Sequence, residues 1–325
     1  MRVLTDHADC PSELKGSVLA IGNFDGVHRG HQAVLATAIA QAGSRGAPSG
    51  VMVFEPHPRQ YFKPDAPFFR LTPSALKQRL FAALGLDVTV ELPFGPALAR
   101  LTAEEFVRDV LAGGLGVTHV VTGADFHFGK GREGNPSRLA ELGRAHGFTT
   151  EIVVPVGDPG GVFSSSEIRD HLRLGEVREA ANVLGYWWRV PGIVSGGDRR
   201  GHGLGFPTAN IVPPRGFGLA HGIYAARAVT SAGRHAGAAY HGTRSTFGAG
   251  EPRMEVFLFD FTGDLYGQEI EIELVEFLRG DRAFDSGDAL KSQMQADCEA
   301  AKDVLAHLEH DDPMRAFPLG RALAP

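Results

Sequence analysis

The stretch Val18-Leu19-Ala20-Ile21-Gly22-Asn23-Phe24-Asp25-Gly26-Val27-His28-Arg29-Gly30-His31 decides the reading of this chain. An apolar run ends at Ile21, a glycine-bearing loop with two histidines follows, and a helix-like segment opens behind it. Strand, tight loop and helix N-terminus in that order suit a nucleotide. Glycines let the backbone approach phosphate, and a helix start offers unpaired N–H groups and partial positive charge. His28 and His31 are three residues apart, share a helix face and can reach one polyphosphate together. The spacing matches neither GxGxxG nor a P-loop, which carries lysine before Ser/Thr. Nucleotidyl transfer fits: in-line attack on an α-phosphate with loss of pyrophosphate needs positioning and charge stabilisation more than a covalent nucleophile. The plainer alternative is a glycine-rich turn with two surface histidines.

The rest of the sequence sets the frame. At 325 residues the chain can hold two domains, each with its own core. Its 32 Lys+Arg against 38 Asp+Glu, a formal charge of −6, argue against a nucleic-acid-coating protein. Cys10 and Cys298 lie near opposite ends with no metal or redox spacing, so a reducing, cytoplasmic setting is expected. No signal-peptide pattern and no apolar run of about 20 residues is present, so a soluble protein with no membrane partner is expected. The sequence sets no oligomeric state.

Two textures divide the chain near Gly185. Before it, the apolar runs Val51–Phe54, Val88–Leu92, Val117–Thr122 and Ile152–Val154 alternate with the helical patterns Pro73–Leu84, Ala103–Leu111 and Ser137–Ala145. That alternation predicts an α/β domain over residues 1–185, a doubly wound, Rossmann-like parallel sheet with ligands at the strands' carboxyl ends. After it come glycine-rich β runs, Gly222–Val229, Met254–Phe259 and Glu269–Leu278, which predict a small antiparallel β-barrel over 186–325. Leu290, Met294, Cys298, Ala301 and Leu305 recur at helical spacing behind Ser286, predicting a closing helix. Glu309 to Pro325, with three prolines and no period, reads as a loose tail.

Further patches carry chemistry. Phe54-Glu55-Pro56-His57-Pro58-Arg59 presents Glu55, His57 and Arg59 at the sheet's edge, or is a simple proline-rich turn. In the segment from Gly123 to Arg132, Asp125 suits a ribose or a metal-bound water and Lys130 and Arg132 suit phosphate; a solvated basic loop is the alternative. Ser164-Ser165-Ser166-Glu167-Ile168-Arg169 starts a helix with hydroxyls and an arginine, a pattern also made by ordinary capping. In the second half, Gly197, Gly201, Gly203 and Gly205 are expected to make a flexible cover over a ligand before Pro207-Thr208-Ala209-Asn210. Thr208 and Asn210 alternate on one face of an extended segment and suit Mg²⁺ chelated by a nucleotide, or are polar caps of a hairpin. Glu255 suits a general base on a hydroxyl, or a strand-end ion pair.

Taken together and in this order, Gly22–His31, Phe54–Pro58, Asp125–Gly129, Ser164–Arg169, Gly201–Asn210 and Glu255–Phe261 resemble the bacterial bifunctional riboflavin kinase/FMN adenylyltransferase family, often called FAD synthetase, over about residues 15 to 308. The resemblance implies FMN formation from riboflavin and ATP in the second domain, with Mg²⁺, and FAD formation with release of pyrophosphate in the first. It implies that Gly22, Asn23, Phe24, Asp25, Gly26, His28, His31, Asp125, Ser165 and Arg169 serve the adenylylation nucleotide, with flavin near Phe54, His57 and Pro58. On the kinase side it implies nucleotide binding by Gly203, Gly205 and Pro207, Mg·ATP ligation by Thr208 and Asn210, and Glu255 as base. Arg279 and Phe284 match the flavin-side loop. His127 stands where the family often has arginine. Tyr240–Thr246 resembles the family's IGxRPT stretch with His241 for isoleucine and Ser245 for proline. A flavin- or nucleotide-binding regulator, or a single-function adenylyltransferase with an impaired kinase domain, are the alternatives to a two-step enzyme.

Overall fold

The computed structural model describes residues 1–195, 208–243 and 252–324. The chain forms two compact units, Met1–Ser165 and Ser166–Pro325. Gly203, Gly205, Pro207 and Ser245 lie outside the described residues.

The first unit is built from β1 (Arg2–Leu4), β2 (Val18–Ile21), α1 (Arg29–Arg45), β3 (Ser49–Glu55), α2 (Pro58–Phe62), α3 (Ser74–Ala83) and β4 (Val88–Pro93). It continues with α4 (Pro96–Arg100), α5 (Ala103–Glu105), β5 (His119–Gly123), α6 (Pro136–Ala145), β6 (Thr149–Val153) and a small hairpin of β7 (Gly157–Asp158) and β8 (Gly161–Val162). The first six strands form one wholly parallel sheet in the order β1-β4-β3-β2-β5-β6. The chain moves outward from β2 through β3 to β4, then returns to the other side of β2 for β5 and β6. The strand order therefore reverses between β2 and β5, and the loop after Ile21 leaves the sheet at that crevice, where such sheets bind ligands.

Burial on both faces explains the unbroken apolar strands. All four residues of β2 are buried; Leu19 and Ile21 join Met52, Phe54, Val107, Val110 and Leu139 in one cluster, and Val18 and Ala20 face the other way. The helix expected over Ala103–Leu111 begins with the capping box of Thr102 and Glu105 and continues with wider π-helical winding through Phe106–Leu115.

The second unit contains α7 (Ser165–Leu174, its first residue in the first unit), α8 (Val177–Leu184), β9 (Arg189–Ile193), β10 (Thr208–Ile211), β11 (Gly222–Thr230), β12 (Gly233–Gly242), β13 (Arg253–Leu258), β14 (Glu269–Gly280), α9 (Gly287–His310) and α10 (Pro318–Ala322). Six antiparallel strands run in the order β10-β13-β12-β11-β14-β9. The two edges meet: the Ser195 N–H donates to the Asn210 carbonyl at 2.9 Å, and Gly192 lies so close to Ile211 that a Cβ there would fall 2.0 Å from its side chain. Strand joins strand around the sheet and the barrel is closed at this seam. Ser286 caps α9 by accepting from the Ala289 N–H at 3.2 Å, and the helix packs Cys298, Ala301 and Leu305 against Ala225, Ala238 and Val275.

The terminal stretch is ordered, contrary to the reading of a loose tail. Met314 and Leu319 are buried at 2% and 0% exposure, and Asp312 accepts from the Trp187 indole at 3.0 Å and from Arg227 at 3.3 Å. The Leu323 carbonyl accepts from Arg189 and Arg234. Single apolar plugs and charges from distant strands hold this segment, and neither leaves a periodic pattern in the sequence.

Candidate active sites

The loop after β2 carries two unusual torsions. Phe24 and Val27 have φ of 49° and 45°, a region that costs a non-glycine residue about 1–3 kcal/mol, and Gly26 between them has φ of 91°. Five side chains hold it there. The Asp25 carboxylate accepts from the Leu71 N–H at 3.1 Å and the Thr72 N–H at 3.0 Å; the Thr72 hydroxyl accepts from the Gly26 N–H at 3.1 Å. Gln32 donates to the Val27 carbonyl at 2.9 Å, Ser165 to the Asp25 carbonyl at 2.7 Å and Lys77 to the Asn23 carbonyl at 3.0 Å. A backbone fixed at nearly every residue is preorganised to present N–H groups without further reorganisation.

The histidines differ in role. His28 is the N-cap of α1, its Nδ1 accepting from the His31 N–H at 3.3 Å, and Gly30 leaves room for its ring, since a Cβ there would lie 3.1 Å from it. The two imidazoles stack with centroids 3.6 Å apart, and Phe24 meets His31 edge-on at 5.1 Å. Burial, then the neighbouring His28 and Lys77, hold His31 well below the usual imidazole range, so it is neutral at pH 7. Its Nδ1 is buried with no hydrogen-bond partner among the described residues. A neutral ring beside a helix N-terminus contributes a directed hydrogen bond while the helix end supplies the positive potential.

The other predicted residues of this unit gather at neighbouring strand ends. Gly22 closes β2 by donating to the Met52 carbonyl, and Asp125 is exposed just beyond β5, adjacent to β2. Phe54, at the end of β3, packs against Phe94 and Phe106. His57 caps α2 by accepting from the Arg59 N–H and lies 4.7 Å from the Phe68 ring, and Pro58 is the first residue of α2. Beside them Tyr61, Phe62 and Phe94 form an aromatic cluster with Phe62 64% exposed. Arg169 belongs to the second unit, where it is buried on α7.

Arg70 and Thr72 do not stand out in the sequence, and Lys77 is a third residue of this site that the motifs miss. Arg70 makes a two-pronged ion pair with Glu55, one arm at 2.7 Å. Lys77 has a legible signal: it interrupts the apolar stripe of α3, whose buried residues are Leu76, Lys77, Leu80 and Phe81.

In the barrel, cross-strand register aligns a row of side chains on one face. Arg279 pairs with Ile223, Ile223 with Tyr240, Tyr240 with Glu255 and Glu255 with Asn210. Directly opposed residues share a face with Cβ atoms about 4.5–5.5 Å apart, so Tyr240, Glu255 and Asn210 are immediate neighbours. Thr208 is two residues from Asn210 on the same face. Asn210 donates through Nδ2 to the Thr208 carbonyl at 3.2 Å, while its Oδ1 is buried with no partner among the described residues. Tyr240 donates to Asp281 at 3.0 Å, which ties the loop after β14 to this row. Arg279 itself pairs with Asp297 at 2.7 and 2.9 Å, and Phe284 lies under Arg279 and Arg282. His241 points to the opposite, interior side of the barrel and packs edge-on to Phe217.

A doubly wound sheet with a tightly braced glycine- and histidine-bearing loop at its switch point, followed by a closed barrel bearing an oxygen-rich row beside a carboxylate, is the architecture of a two-domain nucleotide-using transferase. The FAD synthetase family model matches residues 10–167 and the riboflavin kinase model residues 184–305. The bifunctional riboflavin kinase/FMN adenylyltransferase of Pseudomonas fluorescens is 38% identical over 92% of this chain and 96% of its own length. Its counterpart from Escherichia coli strain K12 is 36% identical over 93% and 96%. A crystal structure described as a macrolide-efflux protein from Streptococcus pneumoniae matches 93% of this chain and 98% of its own, with 30% identity and a TM-score of 0.82. Among the described residues no helix is long and apolar enough to cross a membrane. The chain belongs to the bifunctional riboflavin kinase/FMN adenylyltransferase family, and it is a bifunctional enzyme with both activities.

Proposed function

We propose a division of labour in which residues 1–185 adenylylate FMN and residues 186–325 phosphorylate riboflavin. In the first reaction the loop Gly22–His28 and the start of α1 receive the triphosphate of ATP, with His28, His31 and Ser165 orienting it; for Arg169 the nucleotide role rests on the family resemblance alone. A phosphate oxygen of FMN attacks the α-phosphorus, the bond to the bridging oxygen breaks and pyrophosphate leaves with the electron pair. The protein's contribution is alignment and charge stabilisation. Asp125 suits the ribose, and the Phe54–Pro58 segment with Tyr61, Phe62 and Phe94 gives an isoalloxazine ring an aromatic surface.

In the second reaction Glu255 takes the proton from the ribityl 5′-hydroxyl as its oxygen bonds to the γ-phosphorus, and ADP leaves. Asn210 Oδ1 and the Thr208 hydroxyl fit Mg²⁺. They are neutral oxygen donors, one buried with no partner among the described residues, and this ion favours a few protein oxygens beside phosphate and water. Bound there, Mg²⁺ would neutralise charge on the transferring phosphates. Gly203, Gly205 and Pro207 are assigned to the nucleotide and Arg279 and Phe284 to the flavin. The orphaned Asn210 oxygen next to Glu255 is the observation that carries this assignment. Full-length protein given riboflavin, ATP and Mg²⁺ is expected to form FMN; Asn210→Ala is expected to lower that rate and to raise the Mg²⁺ concentration needed for half-maximal activity. An unchanged Mg²⁺ dependence would remove Asn210 from the role.

A further inference from the structure

Lys77 is 2% exposed, on the apolar side of α3 with Leu76, Leu80 and Phe81. Its ammonium donates to the Asn23 carbonyl at 3.0 Å, and among the described residues it forms no ion pair. The carboxylates that act on it are engaged elsewhere: Glu55 with Arg70, Asp25 with the Leu71 and Thr72 amides, and Glu91 with Ser74 and Gln78. Burial first, and Arg70 second, push its pKa down to about 8. A buried cation with one neutral acceptor is costly and tends to survive where it meets an opposite charge in function. Lys77 also acts on the His31 ring, which places it within electrostatic reach of the stacked imidazoles.

We propose that Lys77 is a positioning residue for adenylyl transfer, a cation fixed behind the Asn23–His28 loop whose charge is matched when triphosphate, and then departing pyrophosphate, occupies that loop. Lys77 acts through the loop and its field, without touching substrate; in a dry site such a fixed charge is far stronger than in water. This rests on the reading of the loop as the ATP phosphate site.

Two variants of the full-length protein separate charge from tether. Lys77→Gln retains a donor for the Asn23 carbonyl and loses the charge; Lys77→Met loses both. FAD formation from FMN and ATP is measured by chromatography, FMN formation from riboflavin in the same preparation serves as the folding control, and thermal unfolding is followed. Both variants are expected to lose about 10²-fold in kcat for FAD formation, to keep kinase activity and to melt no lower than wild type. The wild-type kcat/KM profile is expected to carry an alkaline limb near 8 that Lys77→Gln lacks. Wild-type FAD formation by Lys77→Gln would overturn the proposal, as would a loss in both variants accompanied by a fall in melting temperature. Absence of FAD formation by wild type would instead overturn the reading of the loop, and the proposal with it.

Discussion

Asp25→Ala isolates the strain stored in the loop after β2. The carboxylate accepts from two backbone amides, Leu71 and Thr72, at 3.0–3.2 Å. Hydrogen bonds to a charged group contribute about 1.5–3 kcal/mol each, so the clasp is worth about 3–6 kcal/mol. Against it stand Phe24 and Val27 at positive φ, together about 2–6 kcal/mol. The two terms are of the same size, and the clasp is what tips the loop into its bent form. The bonds to Asn23, Gly26 and Val27 remain in the variant, so a net shift of about 3–4 kcal/mol is expected. At about 1.4 kcal/mol per decade, the competent fraction falls by about 10²–10³. FAD formation from FMN and ATP is expected to fall by that factor, while FMN formation from riboflavin in the same preparation stays within twofold. FAD formation within threefold of wild type would refute the reasoning.

Deleting residues 311–325 is expected to destabilise the barrel unit by about 3–6 kcal/mol, from the lost burial of Met314 and Leu319 and from stranding Trp187 and Arg227 without Asp312. Loss of kinase activity on warming, well before loss of adenylylation, would show it; matched inactivation profiles of deleted and full-length protein would not. Burial lowers the His241 pKa to about 4 from an ordinary 6.5, so the unfolded state takes up a proton that the folded state refuses between these values. Its contribution to stability is therefore intact above pH 6.5 and falls by about 3 kcal/mol as pH drops toward 4. His241→Ile is expected to flatten that part of the pH–stability curve in chemical denaturation, and a curve as steep as wild type would contradict the account. Phe62→Ala is expected to raise KM for FMN in FAD formation severalfold while leaving KM for riboflavin unchanged, as measured by steady-state kinetics on each half-reaction.

The sequence made the sheet legible because both its faces are buried, which leaves unbroken apolar strands such as Val88–Leu92 between amphipathic helices. Strand β12 was hidden. Its Gly233–Gly242 run is glycine- and alanine-rich because the neighbouring strand and α9 approach closely: a Cβ on Gly237 would lie 2.4 Å from the Phe257 carbonyl, and Ala238 packs beside Cys298. The site loop was readable in outline from its glycines and histidines, but not the partition of tasks within it. That Asp25 binds the Leu71 and Thr72 amides, and that Phe24 wedges His31, depends on α3 and its preceding turn folding back about 46 residues later. Lys77 interrupts the apolar stripe of α3, but its near-complete burial is set by the docking of that helix and not by the spacing along it. The row Asn210-Glu255-Tyr240 is likewise a product of strand register, which spacing along the chain does not encode.

The most direct measurement of the central claim is a chromatographic time course with riboflavin, ATP and Mg²⁺ for wild type and Glu255→Ala, repeated with FMN in place of riboflavin. Wild type is expected to show FMN first and FAD after it. Glu255→Ala is expected to form FMN at least about 10²-fold more slowly yet to convert supplied FMN to FAD at the wild-type rate. Absence of both products from wild type, or undiminished FAD formation from riboflavin by Glu255→Ala, would contradict two independent active sites in this chain.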